Sequence, residues 1–173
     1  MRAALIALLS ASALVACAPT PIPQPVGFRI ISPQEADAVR TKHVDTLNAF
    51  RAEQGLPALT LSARLTAAAA THARDMSNQK RAWHFGSDGT SPKDRADRAG
   101  YDGLVVGENI SESFDDEFEL FNSWAVTPGT RAVMLEPSAT DIGFAWFQEE
   151  NGKLWWVQVL GRRNDAFGVA QTR

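Results

Sequence analysis

Ala36, Val39, His43, Leu47 and Phe50 recur three and four positions apart, the spacing of one face of a helix. Ser32-Pro33-Gln34-Glu35 precedes them. Ser32 suits an N-cap, Pro33 the first helical position, and Glu35 the return bond of a capping box. Gly55 and Pro57 end the run, and Leu59-Thr60-Leu61 reads as a short extended link. Ser62 then caps a second helix that carries Leu65, Ala68, Ala69, His72, Ala73 and Met76 on one face. Four consecutive alanines at 67–70 predict close packing, because small side chains let backbones approach. His43 and His72 lie on these stripes and read as core histidines.

Residues 80–106 are rich in glycine and proline and predict loops, interrupted by a short helix over 92–99 that Ser91 caps. Asp115 or Asp116 caps a further helix with Phe118, Phe121 and Trp124 turned inward, and Pro128-Gly129 stops it. The acidic run 112–117 reads as that helix's start, where carboxylates meet the positive dipole end. Segments 141–148 and 154–160 read as strands, with Asn151-Gly152 as a hairpin turn. Neighbours on a strand face opposite sides, so Trp155 and Trp156 enter different layers. Helices followed by a short antiparallel sheet give an α+β fold class.

The N-terminus changes the picture of where this body resides. Arg2 followed by an apolar run from Ala3 to Leu14 reads as a signal peptide over residues 1–16, too short for a spanning helix of about 20 residues. Leu14-Val15-Ala16-Cys17 is a lipobox pattern, so Cys17 is expected to carry lipid; the alternative is an ordinary cleavable signal that happens to contain a cysteine. Residues 17–31 then form a proline-rich tether, 32–163 the folded domain, and 164–173 a tail. Ala18, not Asp, follows Cys17, which by resemblance to lipoprotein sorting in diderm bacteria favours the outer membrane. Cys17 is the only cysteine, so the core stands without a disulfide. A net charge of −3 with no sustained basic run argues against a nucleic-acid partner. A monomer tethered to the membrane through its N-terminal lipid is expected.

Two side chains carry candidate chemistry. His84 sits at the entry to a glycine-rich turn, where one ring nitrogen can be fixed and the other free. It reads either as a ligand or proton carrier, or as a loop histidine bonded to the scaffold. Glu108, between Gly107 and Asn109 and flanked by apolar residues, is expected to be partly buried and in need of a partner. It reads as a cleft carboxylate or as a structural acceptor. Asn109 reads as structural. No Gly-x-Ser-x-Gly is present; Ser87 and Ser111 are the serines nearest these two in sequence.

Nine motifs in one order resemble the bacterial branch of the CAP superfamily, the SCP-like extracellular domains. They are Leu-Asn-Ala-Phe-Arg at 47–51, Gly-Leu-Pro-Ala-Leu at 55–59, His-Ala-Arg-Asp-Met at 72–76, His84, Ala-Gly-Tyr at 99–101, Gly-Glu-Asn-Ile at 107–110, Trp124, Pro-Gly-x-Arg at 128–131, and Thr-Asp-Ile-Gly-Phe-Ala at 140–145. The resemblance implies a three-layer α-β-α sandwich, with His84 and Glu108 as paired cleft residues and the candidate catalytic set. It also exposes departures. Bacterial members read Ser-Pro-Gly-His-Arg where this chain has Thr127-Pro128-Gly129-Thr130-Arg131, so the second cleft histidine is replaced by Thr130. The further glutamate of eukaryotic members falls at Thr127, and no histidine stands near Thr140, although Glu136 and Asp141 do. A zinc site wants about three or four side chains and only His84 and Glu108 remain, so neither a metal nor another cofactor is expected. The resulting expectation is a lipid-anchored envelope module that binds a lipid or cell-wall fragment without turning it over. The alternative is an envelope hydrolase using His84 and Glu108 as an acid–base pair.

Overall fold

The computed structural model describes residues 29–164. Cys17, the signal peptide, most of the tether and the tail beyond Asn164 lie outside the described residues.

The helical stripes form as their spacing predicts. Helix α1 spans Ala36–Glu53 and buries Val39, His43, Val44, Leu47 and Arg51. Its start differs from a capping box. The Ser32 hydroxyl and N–H both donate to the Glu35 carboxylate, at 2.8 and 3.0 Å, and no side chain caps the helix itself. A separate turn at 33–35 thus precedes α1. Upstream of it, Ile31 is buried in the core and its N–H donates to Gln148 Oε1, so the chain joins the body before Ser32. Strand β1 (Thr60–Leu61) leads to α2 (Ala63–Gln79), where the Ser62 hydroxyl accepts from the Leu65 N–H and the whole predicted face is buried. Helix α3 (Pro92–Arg98) begins with a complete capping box between Ser91 and Asp94.

Strand β2 (Gly103–Ser111) replaces the end of the expected loop. Helix α4 (Glu117–Val126) is capped by Asp116, which accepts from the N–H groups of Phe118 and Glu119. Phe121 and Trp124 face inward as expected, but Phe118 is 58% exposed and Leu120 fills the core instead. Pro128-Gly129 ends α4 and also starts another helix, α5 (Pro128–Met134), because proline fits a first helical turn, where its missing N–H costs nothing.

Strands β3 (Asp141–Gln148) and β4 (Leu154–Arg163) pair antiparallel. Their connection is longer than a two-residue turn. The Glu149 N–H donates to Lys153 O, and only Gly152 adopts positive φ (91°). The sheet order is β1-β3-β4-β2, antiparallel except for the parallel edge pair β1/β3.

Two cores flank this sheet. On one side α1, α4 and α5 cover Ile142, Phe144, Trp156 and Leu160. On the other, α2 and α3 cover Ala145, Trp155, Val157 and Val159. Trp155 and Trp156 are both fully buried, one in each core, which completes the α-β-α layering. Helix α2 lies tightly on β3: a Cβ at Gly143 would sit 2.2 Å from the Leu65 carbonyl carbon. Arg51, the arginine of the 47–51 motif, is fully buried and donates to the carbonyls of Pro57, Met134 and Glu136, binding the end of α1 to the end of α5. The Ala-Gly-Tyr and Thr-Asp-Ile-Gly motifs meet where the Tyr101 hydroxyl donates to Asp141 Oδ2 at 2.8 Å.

Candidate functional site: a histidine–carboxylate–guanidinium cluster

Glu108 lies on β2 opposite Val159 of β4, and its side chain enters the α2 and α3 layer. A register shift between Val105 and Gly107 sets this phase. Val105 packs with the α2 core, Val106 packs with the other core, and a Cβ at Gly107 would sit 2.7 Å from Val133 of α5. The bulge therefore places two successive positions toward α5 before Glu108 turns toward α2.

The loop after α2 delivers His84. His72 Nε2 bonds to the Trp83 carbonyl at 2.9 Å, and the Trp83 indole N–H donates to Gln79 Oε1. Arg95 Nη1 donates to the carbonyls of His84 and Thr90, each at 3.0 Å. With its backbone held, His84 Nδ1 lies 2.8 Å from Glu108 Oε1. Arg95 Nη2 donates to the other oxygen, Oε2, at 2.6 Å. The family resemblance implied the His84–Glu108 pairing, and the structure brings the two together. It adds Arg95, which sequence reasoning missed. Segment 92–98 is dense with charge, so each of its arginines reads as solvated; no periodicity separates buried Arg95 from exposed Arg98.

Exposure divides the roles. The Glu108 and Arg95 side chains are 2% and 6% exposed, whereas that of His84 is 52% exposed. A carboxylate only accepts, so Nδ1 is the donor and carries the proton. In the neutral ring Nε2 is then a lone-pair acceptor on the open side. His84 and Glu108 border a shallow depression of about 320 Å³, lined also by Ser91, Pro92, Lys93, Val105 and Gly107.

The remaining candidates lie elsewhere or are committed. The Thr130 hydroxyl donates to the Trp124 carbonyl, and its own carbonyl accepts from Asn109 Nδ2 at 2.9 Å, so Asn109 bonds the scaffold as expected. Thr127 donates to Ser123 O, and Glu136 accepts from Ser138. Asp141 accepts from Tyr101 and Arg163. None of these lines the depression. Ser87 donates to Asp75 at 2.6 Å, and Ser91 is bound to Asp94. Ser111 is three residues along β2 from Glu108 and hence faces the opposite side of the strand.

His43 is a core residue, stacked on Phe144 at 3.6 Å with Nε2 bonded to Gln158. Burial pushes its pKa down to about 4. His72 is buried too, and desolvation lowers its pKa, opposed in part by Glu108, whose Oε1 is 3.9 Å from His72 Nε2. The Trp83 carbonyl accepts from Nε2, which leaves His72 Nδ1 as an acceptor without a partner.

This donor set does not fit a divalent ion. Among the described residues no group of three or more His, Cys, Asp or Glu side chains is arranged to hold one. The carboxylate oxygen turned away from His84 is occupied by a guanidinium, so a fixed internal cation stands beside Glu108.

Residues 44–160 match the profile of CAP, the cysteine-rich secretory protein family, and the chain belongs to that family. The Bacillus subtilis protein YkwD is 29% identical over 131 residues, which cover 76% of this chain and 50% of that protein. The chain therefore spans half the length of this relative. An SCP-domain extracellular protein of Bacillus anthracis superposes with a TM-score of 0.69 at 20% identity, over 78% of this chain and 45% of its own. An outer surface protein of Borrelia burgdorferi gives 0.66 at 17%, over 75% and 96%.

Proposed function

We propose that this chain is a lipid-anchored envelope module whose CAP domain binds a ligand at the depression beside His84 without turning it over. One observation carries the reading: both oxygens of Glu108 are engaged, one by His84 and one by Arg95. A carboxylate buried in this way orients its histidine but does not itself exchange a proton with a ligand. His84 Nε2 is left as the cluster's open acceptor, suited to a hydroxyl or amide N–H of a cell-wall fragment or a lipid headgroup. The extracellular and outer-surface descriptions of the two structural neighbours support a location outside the cytoplasm. The anchor in this reading is the lipobox cysteine, Cys17, which lies outside the described residues. The experiment is binding of muropeptides, glycan fragments and envelope lipids to the full chain carrying Cys17→Ser. Saturable binding lost in His84→Ala supports the reading. Turnover of a bound ligand refutes it.

The Nδ1–carboxylate contact also favours a second reading, a hydrolase in which His84 alone is the general base and Glu108 fixes its tautomer. The acid–base pair drawn from sequence takes this narrower form because only one member is open. Hydrolysis of an envelope ester or amide, lost in His84→Ala with the fold intact, distinguishes it from simple binding.

A further inference from the structure

The sheet has two edges, and they differ. One is β1, two residues long and too short to seat a further strand. The other is β2, nine residues long, with β4 as its one strand partner among the described residues. An antiparallel strand directs the N–H and C=O of alternate residues away from its neighbour. Among the described residues no turn or loop backbone bonds to those of β2. The strand contains no proline, lysine or arginine, residues that blunt an edge against further pairing. Its bulge ends at Gly107, and from there to Ser111 five residues pair with β4 in unbroken register. The bulge and the inward carboxylate of Glu108 interrupt a longer ladder, so this edge suits a short segment better than the whole edge of a second copy.

The depression beside His84 lies along this edge. Strand β2 contributes Val105, Gly107 and Glu108 to its lining, and the start of α3 contributes Ser91, Pro92 and Lys93. The lining has no Phe, Tyr or Trp ring on which a sugar face could stack, and it is too shallow to enclose an acyl chain. What stands open there is backbone, and the complement of an open strand edge is another backbone.

We propose that the ligand at His84 is an extended peptide segment whose main chain adds to the free edge of β2 over residues 107–111. The inference rests on the reading of His84 as a binding site and names the ligand class. Paired with β2, the segment runs past His84 and presents an N–H or hydroxyl to Nε2. Alternate side chains of the segment fall on the α3 side, over Val105 and Pro92.

The test is selection of phage-displayed linear heptapeptides on the full chain carrying Cys17→Ser, followed by NMR titration with the enriched sequences as synthetic peptides. The expected result is saturable shifts at His84 and along β2, with slowed exchange of the outward N–H groups between Gly107 and Ser111. N-methylation of alternate peptide residues in one phase removes the donors that face β2 and weakens binding about tenfold or more. Methylation in the other phase leaves it within about twofold. His84→Ala weakens binding about fivefold, and Leu61→Ala on the far edge leaves it unchanged. Equal losses in the two phases, binding indifferent to His84→Ala, or shifts confined to residues away from β2 overturn the proposal. If no peptide is enriched while a free glycan fragment or an envelope lipid saturates at His84, the peptide inference falls and the binding reading stands. If none of the three binds, both fall.

Discussion

His84 and Arg95 divide Glu108 between them, and each contact has a separate consequence. The Arg95 bond is buried, so removing one partner leaves an uncompensated charge in the core. Glu108→Gln is expected to destabilise the fold by about 3 kcal/mol in urea unfolding. His84→Ala, at a half-exposed position, is expected to cost under about 1 kcal/mol. His43 sets the acid limit. Its folded pKa of about 4 lies below the ordinary 6.5, so the native state favours the neutral ring. Its stabilisation is complete above pH 6.5 and is lost as pH falls toward 4, by about 3 kcal/mol in all. Buried His72, also depressed, adds in the same direction. His43→Leu should flatten this limb in unfolding curves measured between those pH values. Both histidines are legible in the sequence as members of apolar stripes. His84 and Glu108 are legible through flanking glycines and motif order. Arg95 is not: what buries it is the Glu108 carboxylate, contributed by a strand outside its own helix, and local pattern carries no record of that meeting.

At the level of elements, the closest approach is α2 on β3. Gly143→Ala would push a Cβ to 2.2 Å from helix backbone, which cannot step aside. A loss of about 3 kcal/mol is expected from denaturant midpoints. Gly107→Ala meets only the Val133 side chain, 2.7 Å away, and is expected to cost about 1 kcal/mol. Equal losses would show that α2 can slide on the sheet. Of the four alanines of α2 only Ala68 and Ala69 are buried, Ala67 and Ala70 being exposed, and the approach itself is made by Gly143 against the backbone of Leu65 and Thr66. Strand β2 was hidden in the sequence. Its bulge breaks the alternation of sides between Val105 and Glu108, and Gly103 reads as part of the loop over 80–106. Helix α5 was hidden because proline both ends one helix and begins the next. Phe118 was misplaced by counting apolar residues without the phase that Asp116 imposes as cap.

Across the whole molecule, two cores on opposite faces of one sheet hold the candidate site at the sheet's β2 edge. Motif order indicated the family and the layering. The sequence also indicated that the usual ligand set is incomplete, through Thr130. It did not indicate what accompanies Glu108 in place of further ligands, and the structure supplies Arg95. Isothermal titration with zinc should therefore show no binding tighter than that of an exposed histidine. The most direct measurement is long-range ¹⁵N NMR of the histidine rings at alkaline pH, with and without equimolar zinc. The expected result for His84 is a proton on Nδ1 and a bare Nε2, unchanged by the metal. A proton on Nε2, or a zinc-dependent shift shared by His84 and His72, contradicts it.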